Sequence, residues 1–414
     1  MNRASAIHVS PRLLTPLAAS LVLALSACGG GGGGGTPTGN ANFALTDAPV
    51  CNGLQSVVVT VDAVELIGAS GTYTLTLPQP VQIDLTTLTN GTSLPLGDIR
   101  VPAGTYQQLR LMLAANTGNS QPLANYVVPA GSTTPQALTT PSAQQSGYKI
   151  NGQFTVAANG QVNLTVDFNA CRSVVVAGNS GKYLLKPVLN LSDDDESGSI
   201  SGYVPAADAG AVVMAEDAQG HVLKTTVAAV ASGTSGAAAF TLSPLPASST
   251  GYDVVIAPPV PTTQVSPSPD FAPEVVLGVP VAVGQSTGLG TAASPLPMLA
   301  STQDAYFSGT INLPEPADTL VVAQEALNST TTISVAQTNG VETSSPTTQD
   351  YAMDLSVSAP NVATYAPTGL AFVQGAAPSI TIRAFASDGA SGTAAPDGSI
   401  TLAGDTDDTF DMDH

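Results

Sequence analysis

Val162-Asn163-Leu164-Thr165-Val166-Asp167-Phe168 alternates apolar and polar side chains without a break. A period of two is the signature of a strand with one face buried. The same period runs through Leu109-Arg110-Leu111-Met112-Leu113, and Pro102-Ala103-Gly104 ahead of Thr105 reads as the turn that enters it. Between Val57 and Leu66 the apolar positions fall at 57, 59, 61 and 63 and then at 64 and 66. A one-residue slip of that kind is what a β-bulge produces. Tyr183, Leu185, Leu189 and Leu191 keep one parity across Pro187, which predicts an edge strand, since proline has no N–H for a ladder. No window in this part of the chain repeats at 3.6 residues. Residues 42–191 are therefore predicted as a β-sandwich or barrel of about eight strands.

Composition supports the same class. Gly (40) and Pro (32) are abundant in the 414 residues, which disfavours long helices and favours turn-punctuated strands. Hydrophobic residues reach 43%, enough for a core, whereas charged residues are only 10%. Thirty acids against ten bases give a net charge of -20, which excludes nucleic acid as a partner, because phosphate contacts need clustered Lys and Arg.

The first 27 residues carry Arg3 and Arg12, no acid, and the apolar run Leu13–Ala27, too short for a stable span. The run closes Leu25-Ser26-Ala27-Cys28, which resembles the bacterial lipobox; that resemblance implies cleavage before Cys28 and lipidation of its sulfur and new amine. Several acyl chains hold a protein to a membrane stably, so membrane lipid is an expected partner. The unbroken glycines 29–35 read as a flexible tether within residues 28–41. Gly29, rather than Asp, after the cysteine favours the outer membrane by resemblance to the lipoprotein sorting rule, facing the periplasm or the cell surface. With Cys28 assigned to lipid, Cys51 and Cys171 remain as one candidate disulfide in an oxidising compartment. In the chain-entropy model a bridge closing a loop of about 120 residues stabilises by ~4–5 kcal/mol. Two unpaired buried thiols are the alternative.

Asp193, Asp194, Asp195 and Glu196 are consecutive acids that repel one another and predict a solvated linker. The sharper alternative is a weak calcium site, because hard oxygen ligands suit that ion, although the run lacks the glycine and ligand spacing of a loop that wraps it. Beyond it, residues 192–302 hold Ile200-Ser201-Gly202-Tyr203-Val204, Val212–Glu216, a turn at Gln219-Gly220, Phe240-Thr241-Leu242 and Tyr252–Ile256. Residues 258–299, rich in Pro and alternating Val, read as part linker and part edge strand. Residues 303–404 repeat the pattern as a degenerate copy, with Phe307–Ile311, Leu320–Glu325, Tyr351–Val357 and Ile380–Ala384 as strands. A tail at 405–414 carries five Asp and reads as a disordered end.

Two resemblances follow from these segments. Leu45-Thr46-Asp47-Ala48-Pro49, the Val57–Leu66 strand, Ile83-Asp84-Leu85, Pro102-Ala103-Gly104-Thr105-Tyr106, Leu164–Phe168 and Leu185-Lys186-Pro187 together resemble the bacterial lipoprotein family called domain of unknown function 4382. The resemblance implies an envelope β-domain and carries no catalytic residue. The order of strands in 192–302 resembles carboxypeptidase regulatory-like, transthyretin-like sandwiches, which implies a structural or weakly carbohydrate-binding module. The expected fold class is thus all-β: tandem small β-sandwiches, immunoglobulin-like or transthyretin-like, behind a lipoprotein signal and a glycine-rich tether.

Chemistry is scarce. Once the signal is removed, His221 and His414 are the imidazoles left, so a Ser-His-Asp or Cys-His arrangement has one serious base, His221, at a hairpin turn. No P-loop, dinucleotide fingerprint or HExxH occurs. Asp47 reads as a turn-stabilising carboxylate rather than a ligand contact. Trp is absent, and Tyr73, Tyr106, Tyr126 and Tyr148 are scattered, which weakens an aromatic sugar platform. No catalytic residue, metal site or cofactor is assigned. The expectation is a non-enzymatic, membrane-anchored envelope lipoprotein acting as a binding or scaffolding module. A carbohydrate- or exopolysaccharide-binding surface lipoprotein is the first alternative, and an accessory subunit of a secreted hydrolase is the second. An envelope glycan or a protein is the candidate partner.

Overall fold

The alternating stretch at 162–168 forms the strand Gln161–Phe168 in the computed structural model, which describes residues 36–47, 54–117, 122–177, 181–230, 236–259, 271–314, 317, 319–345, 347–386, 390–395, 398 and 400–401. The signal-like segment, Cys28, the glycine run, Cys51 and the acidic tail lie outside these residues, as does the side chain of Cys171. The expectations of lipidation and of a Cys51–Cys171 disulfide therefore fall outside the described residues.

Two sheets make the first sandwich. One is four-stranded, in the order Leu189–Asp193, Gln161–Phe168, Thr38–Asp47, Leu94–Pro102. The other is eight-stranded and built on the long strand Leu54–Gly68. Phe43, Leu45, Leu164 and Phe168 from the first sheet meet Val59, Leu66, Leu109 and Leu111 from the second in one core. Each such side chain, removed from water, contributes about 1.5–3 kcal/mol. The bulge stands where the apolar phase slips: the register shifts between Val61 and Ala63 in that strand's pairings with Gly71–Asp84 and with Gly104–Leu113.

The sandwich has more strands than the eight or so expected. Strands such as Gly71–Asp84 keep most of their side chains half or fully exposed and so show no apolar alternation. Pro187 does not lie in an edge strand. It sits where the chain leaves one sheet for the other, between Lys182–Leu185 inside the eight-stranded sheet and the edge strand Leu189–Asp193 of the four-stranded one. The acidic run is not a solvated linker either. Asp194–Glu196 is a single 3-10 turn joining Leu189–Asp193 directly to Ser197–Pro205.

The second sandwich pairs a three-stranded sheet around Ser197–Pro205 with a sheet containing Val222–Val227, Val212–Glu216, Ser248–Ala257 and Glu274–Val281. The third repeats the pairing pattern of the second. Ser197–Pro205 lies between an antiparallel partner, Ala237–Pro246, and a parallel one, Ser286–Leu289. Asp304–Asn312 likewise lies between antiparallel Thr348–Ser356 and parallel Ile400–Thr401. Val212–Glu216 and Thr319–Ala326 match in the same way, each pairing antiparallel on both sides.

The copies are interlocked. Asn361–Thr364 leaves the third sandwich and pairs parallel with Glu274–Val281 of the second, and Val373–Gln374 adds beyond it. Glu274–Val281 is thus an interior strand with Glu274, Val275 and Val276 all buried, not the edge strand expected from its valines. Both faces of this sheet are covered. Val213, Val254, Ile256 and Val276 face the second sandwich's own core, while Met214, Val255, Ala257 and Val275 face a core shared with Val321, Ile333, Met353 and Ile382 of the third. Near-continuous apolar runs such as Tyr252–Ala257 are what a strand buried on both faces requires.

Candidate functional site

Polar side chains gather where the first sandwich meets the second. Two polar positions of the alternation in Gln161–Phe168 are buried rather than wet: Thr165 is 3% and Asp167 8% exposed. Asp167 Oδ2 receives the ammonium of Lys224 at 2.6 Å, across from strand Val222–Val227. Thr165 Oγ1 donates to Asp194 Oδ2 at 2.7 Å. Asn163 donates from its main-chain N and its Nδ2 to the two oxygens of Asp195, at 3.2 and 2.9 Å. Asp193 caps the 3-10 turn by accepting from the Asp195 N–H. Three of the four acids are thereby tied to the strand beside them or to their own turn, which offsets the mutual repulsion that predicted a linker.

On the other side of the junction the loop carrying Asn90 and Gly91 presses on the second sandwich. Asn90 N donates to Thr226 Oγ1 at 3.1 Å and Asn90 Nδ2 to the Ala239 carbonyl at 3.2 Å. Gly91 has φ +75, and a Cβ there would lie 2.8 Å from the Thr241 methyl, so the approach requires glycine twice over.

Between these contacts opens a cleft of about 360 Å³. Its lining includes Thr46, Ser93, Thr165, Asp194, Ser243 and Ser286, with main chain at Gly91 and Gly284. Thr46 Oγ1 is held by the carbonyls of Leu88 and Thr92 at 3.2 and 2.8 Å. Asp194 brings the one carboxylate. Its Oδ1 is buried and has no hydrogen-bond partner among the described residues. Burial pushes the Asp194 carboxyl above the usual range, reinforced by Asp193 and Asp195 and opposed by the Thr165 hydroxyl and Lys224. The arrangement is a hydroxyl-rich, aromatic-free recess with a single carboxylate residue in its lining.

The remaining sequence candidates are placed as follows. Asp47 is 3% exposed, and its Oδ1 accepts the Ala170 N–H at 2.8 Å, which ties it to a turn remote in sequence; the Ala48-Pro49 turn it was expected to stabilise lies outside the described residues. Among the described residues, no three of His, Cys, Asp and Glu are grouped to hold a metal ion. His221 Nδ1 lies 2.7 Å from Asp217 Oδ2, while Asp217 Oδ1 accepts the N–H of Gln219 and of His221, so this pair closes the hairpin. Tyr106 and Tyr148 are core residues, with Tyr106 stacked on Phe154 at 5.5 Å between centroids. Apart from Asp194, singled out as part of the acidic run, the cleft residues were not foreseen. Isolated Ser and Thr carry no motif, and the one available signal was Lys224, a cation set in an otherwise uncharged strand.

The fold and this junction define an all-β protein of tandem sandwiches. Residues 38–187, the span of the first sandwich up to its last sheet change, match the family described as Domain of unknown function (DUF4382). No curated protein matches the chain. The crystal structure of Lac15 from a marine microbial metagenome aligns over 77% of this chain and 93% of its own, at 9% identity and a TM-score of 0.12, too weak a likeness to bear on fold or function.

Proposed function

We propose that this protein is a non-enzymatic, lipid-anchored envelope protein of the outer membrane that acts as a binding or scaffolding module, with the cleft between its first two sandwiches as the ligand site. The observation that carries the reading is the cleft itself, where serine and threonine hydroxyls and main-chain groups surround the Asp194 side chain. The Leu25–Cys28 lipobox-like segment supports the anchor. Transthyretin-like second and third modules would hold the cleft as a rigid frame.

The same lining favours a glycan as ligand. Sugar hydroxyls both donate and accept, so they match serine and threonine hydroxyls, and a vicinal diol can donate to one carboxylate. Two measurements test the reading. Radiolabelled palmitate is expected in the full-length protein and absent from Cys28→Ala; equal label in both refutes the anchor. Residues 37–414 are expected to co-sediment saturably with isolated sacculi or envelope polysaccharide, and Asp194→Asn is expected to weaken that binding by roughly tenfold, the worth of a charge-assisted hydrogen bond. Absence of saturable binding, or unchanged binding by Asp194→Asn, refutes the glycan reading. Loss of binding in chelator would give Asp193–Glu196 a calcium role.

A further inference from the structure

A second cleft, of about 280 Å³, opens at the end of the core shared by the second and third sandwiches. Leu277, Val362 and Val373 wall it on the side of the second sandwich's sheet, and Ala326 and Leu327 wall it on the other. Glu325 also lines it, from the strand Thr319–Ala326. It follows Val321 and Ala323 in the inward-facing register of that strand, a position that belongs to an apolar residue, and it is 3% exposed.

Three other buried acids of this body have donors within the chain. Glu216 accepts from Ser334 N, Glu274 from Asn361 Nδ2, and Asp253 from Gly278 N. No described residue donates to the Glu325 carboxylate, and burial is the sole influence on its titration, raising its pKa to about 7. Its cross-strand neighbours are Ile333 and Ile380. No other titratable side chain lines the cleft among the described residues. Arg383, on the adjacent strand, pairs with Val322 and so belongs to the opposite face of the sheet, where its guanidinium lies 5.0 Å from the Phe385 ring centroid.

We propose that this cleft is a binding site for an organic ammonium ion bearing a short apolar chain, with the ammonium on Glu325 and the chain along Leu277, Val362 and Val373. A carboxylate in a low-dielectric recess attracts a cation far more strongly than one in water. A hard metal ion needs six or more oxygens, whereas the side chains here offer one carboxylate and the amides of Gln374 and Asn328, the latter's oxygen already occupied by Thr330 and Thr331. An alkylammonium needs one anion and an apolar wall, which is what the cleft supplies. The site is separate from the polar junction cleft and stands or falls independently of it.

The test is calorimetric titration of residues 37–414 with n-pentylammonium and with 1-pentanol, which has the same chain and no charge, at pH 8 and pH 5.5. Pentylammonium is expected to bind at pH 8 at least about tenfold more tightly than pentanol and to lose that advantage at pH 5.5, where the carboxyl carries its proton. Glu325→Gln is expected to bind both probes equally at either pH, with circular dichroism confirming its fold. A second variant, Val362→Trp, fills the cleft without touching the charge and is expected to abolish both. Undetectable pentylammonium binding at pH 8, or undiminished binding by folded Glu325→Gln, overturns the proposal.

Discussion

Raising the pH from 5 to 9 is expected to weaken the interlocked second and third sandwiches by several kcal/mol, and Glu274→Gln is expected to remove much of that loss. Glu274 is 0% exposed, at the start of the strand that receives Asn361–Thr364. Burial raises its pKa from 4.5 to about 8, partly opposed by the hydrogen bond from Asn361 Nδ2 to its Oε2 at 3.0 Å. Between those two values the folded chain holds a proton that the unfolded chain has released. The stability from this group is therefore complete below about pH 4.5 and declines as pH rises, until it is gone above about pH 8. At about 1.4 kcal/mol per pH unit, the full span is worth on the order of 5 kcal/mol. Glu216, also 0% exposed and raised by burial, acts with the same sign, as does Glu325 up to about pH 7. General repulsion at a net charge of -20 also grows with pH, so the variant supplies the control. The substituted amide would keep an acceptor for Asn361 and could not ionise. Thermal melts of both proteins at half-unit steps from pH 5 to 9 decide the matter: melting temperatures that stay parallel across the range rule out Glu274 as the titrating group.

Lys224→Met is expected to cost about 3–5 kcal/mol, because it strands a buried carboxylate at the first junction. Lys224 is 6% and Asp167 8% exposed, and Asp167 Oδ1 already lacks a partner among the described residues. Without the ammonium, Asp167 is left as a buried carboxylate with neither oxygen partnered among the described residues. The double variant Lys224→Met with Asp167→Leu is expected to recover most of the loss, since replacing both members of a buried pair by apolar side chains is often neutral or stabilising. The pair also ties strand Val222–Val227 to strand Gln161–Phe168 across the junction. Urea unfolding followed by circular dichroism should therefore show the single variant's transition broaden or split as the first sandwich uncouples. A single variant as stable as the wild type would mean that the bridge contributes nothing to the junction.

Much of the fold was legible because its signals are local. Alternation places Val162, Leu164, Val166 and Phe168 on one face whatever the strand pairs with, and all four are core. The slip at Val61–Ala63 is a property of one strand and appears as a register shift in the pairings on both sides. The repeat in 303–404 was visible through its opening strands and recurs as the same set of pairings. The sites were less legible. Thr165 and Asp167 read as solvent-facing, because a polar alternate position looks the same whether it meets water or a polar neighbour. Asp193–Glu196 read as a linker, because charge repulsion is computed from adjacency while Asn163 and Thr165, which hold two of these acids, lie about thirty residues away.

By itself, then, the sequence determined the strand class, the positions of the core-facing side chains, the bulge and the presence of a repeated module, all consequences of side-chain order along a pleated backbone. Only the tertiary structure decided that Asn361–Gln374 completes the sheet of the preceding module, that Lys224 meets Asp167, and that serines and threonines from six separate segments line one cleft. Those facts depend on which distant strands share an edge, and a chain's periodicity is the same for any choice of partner.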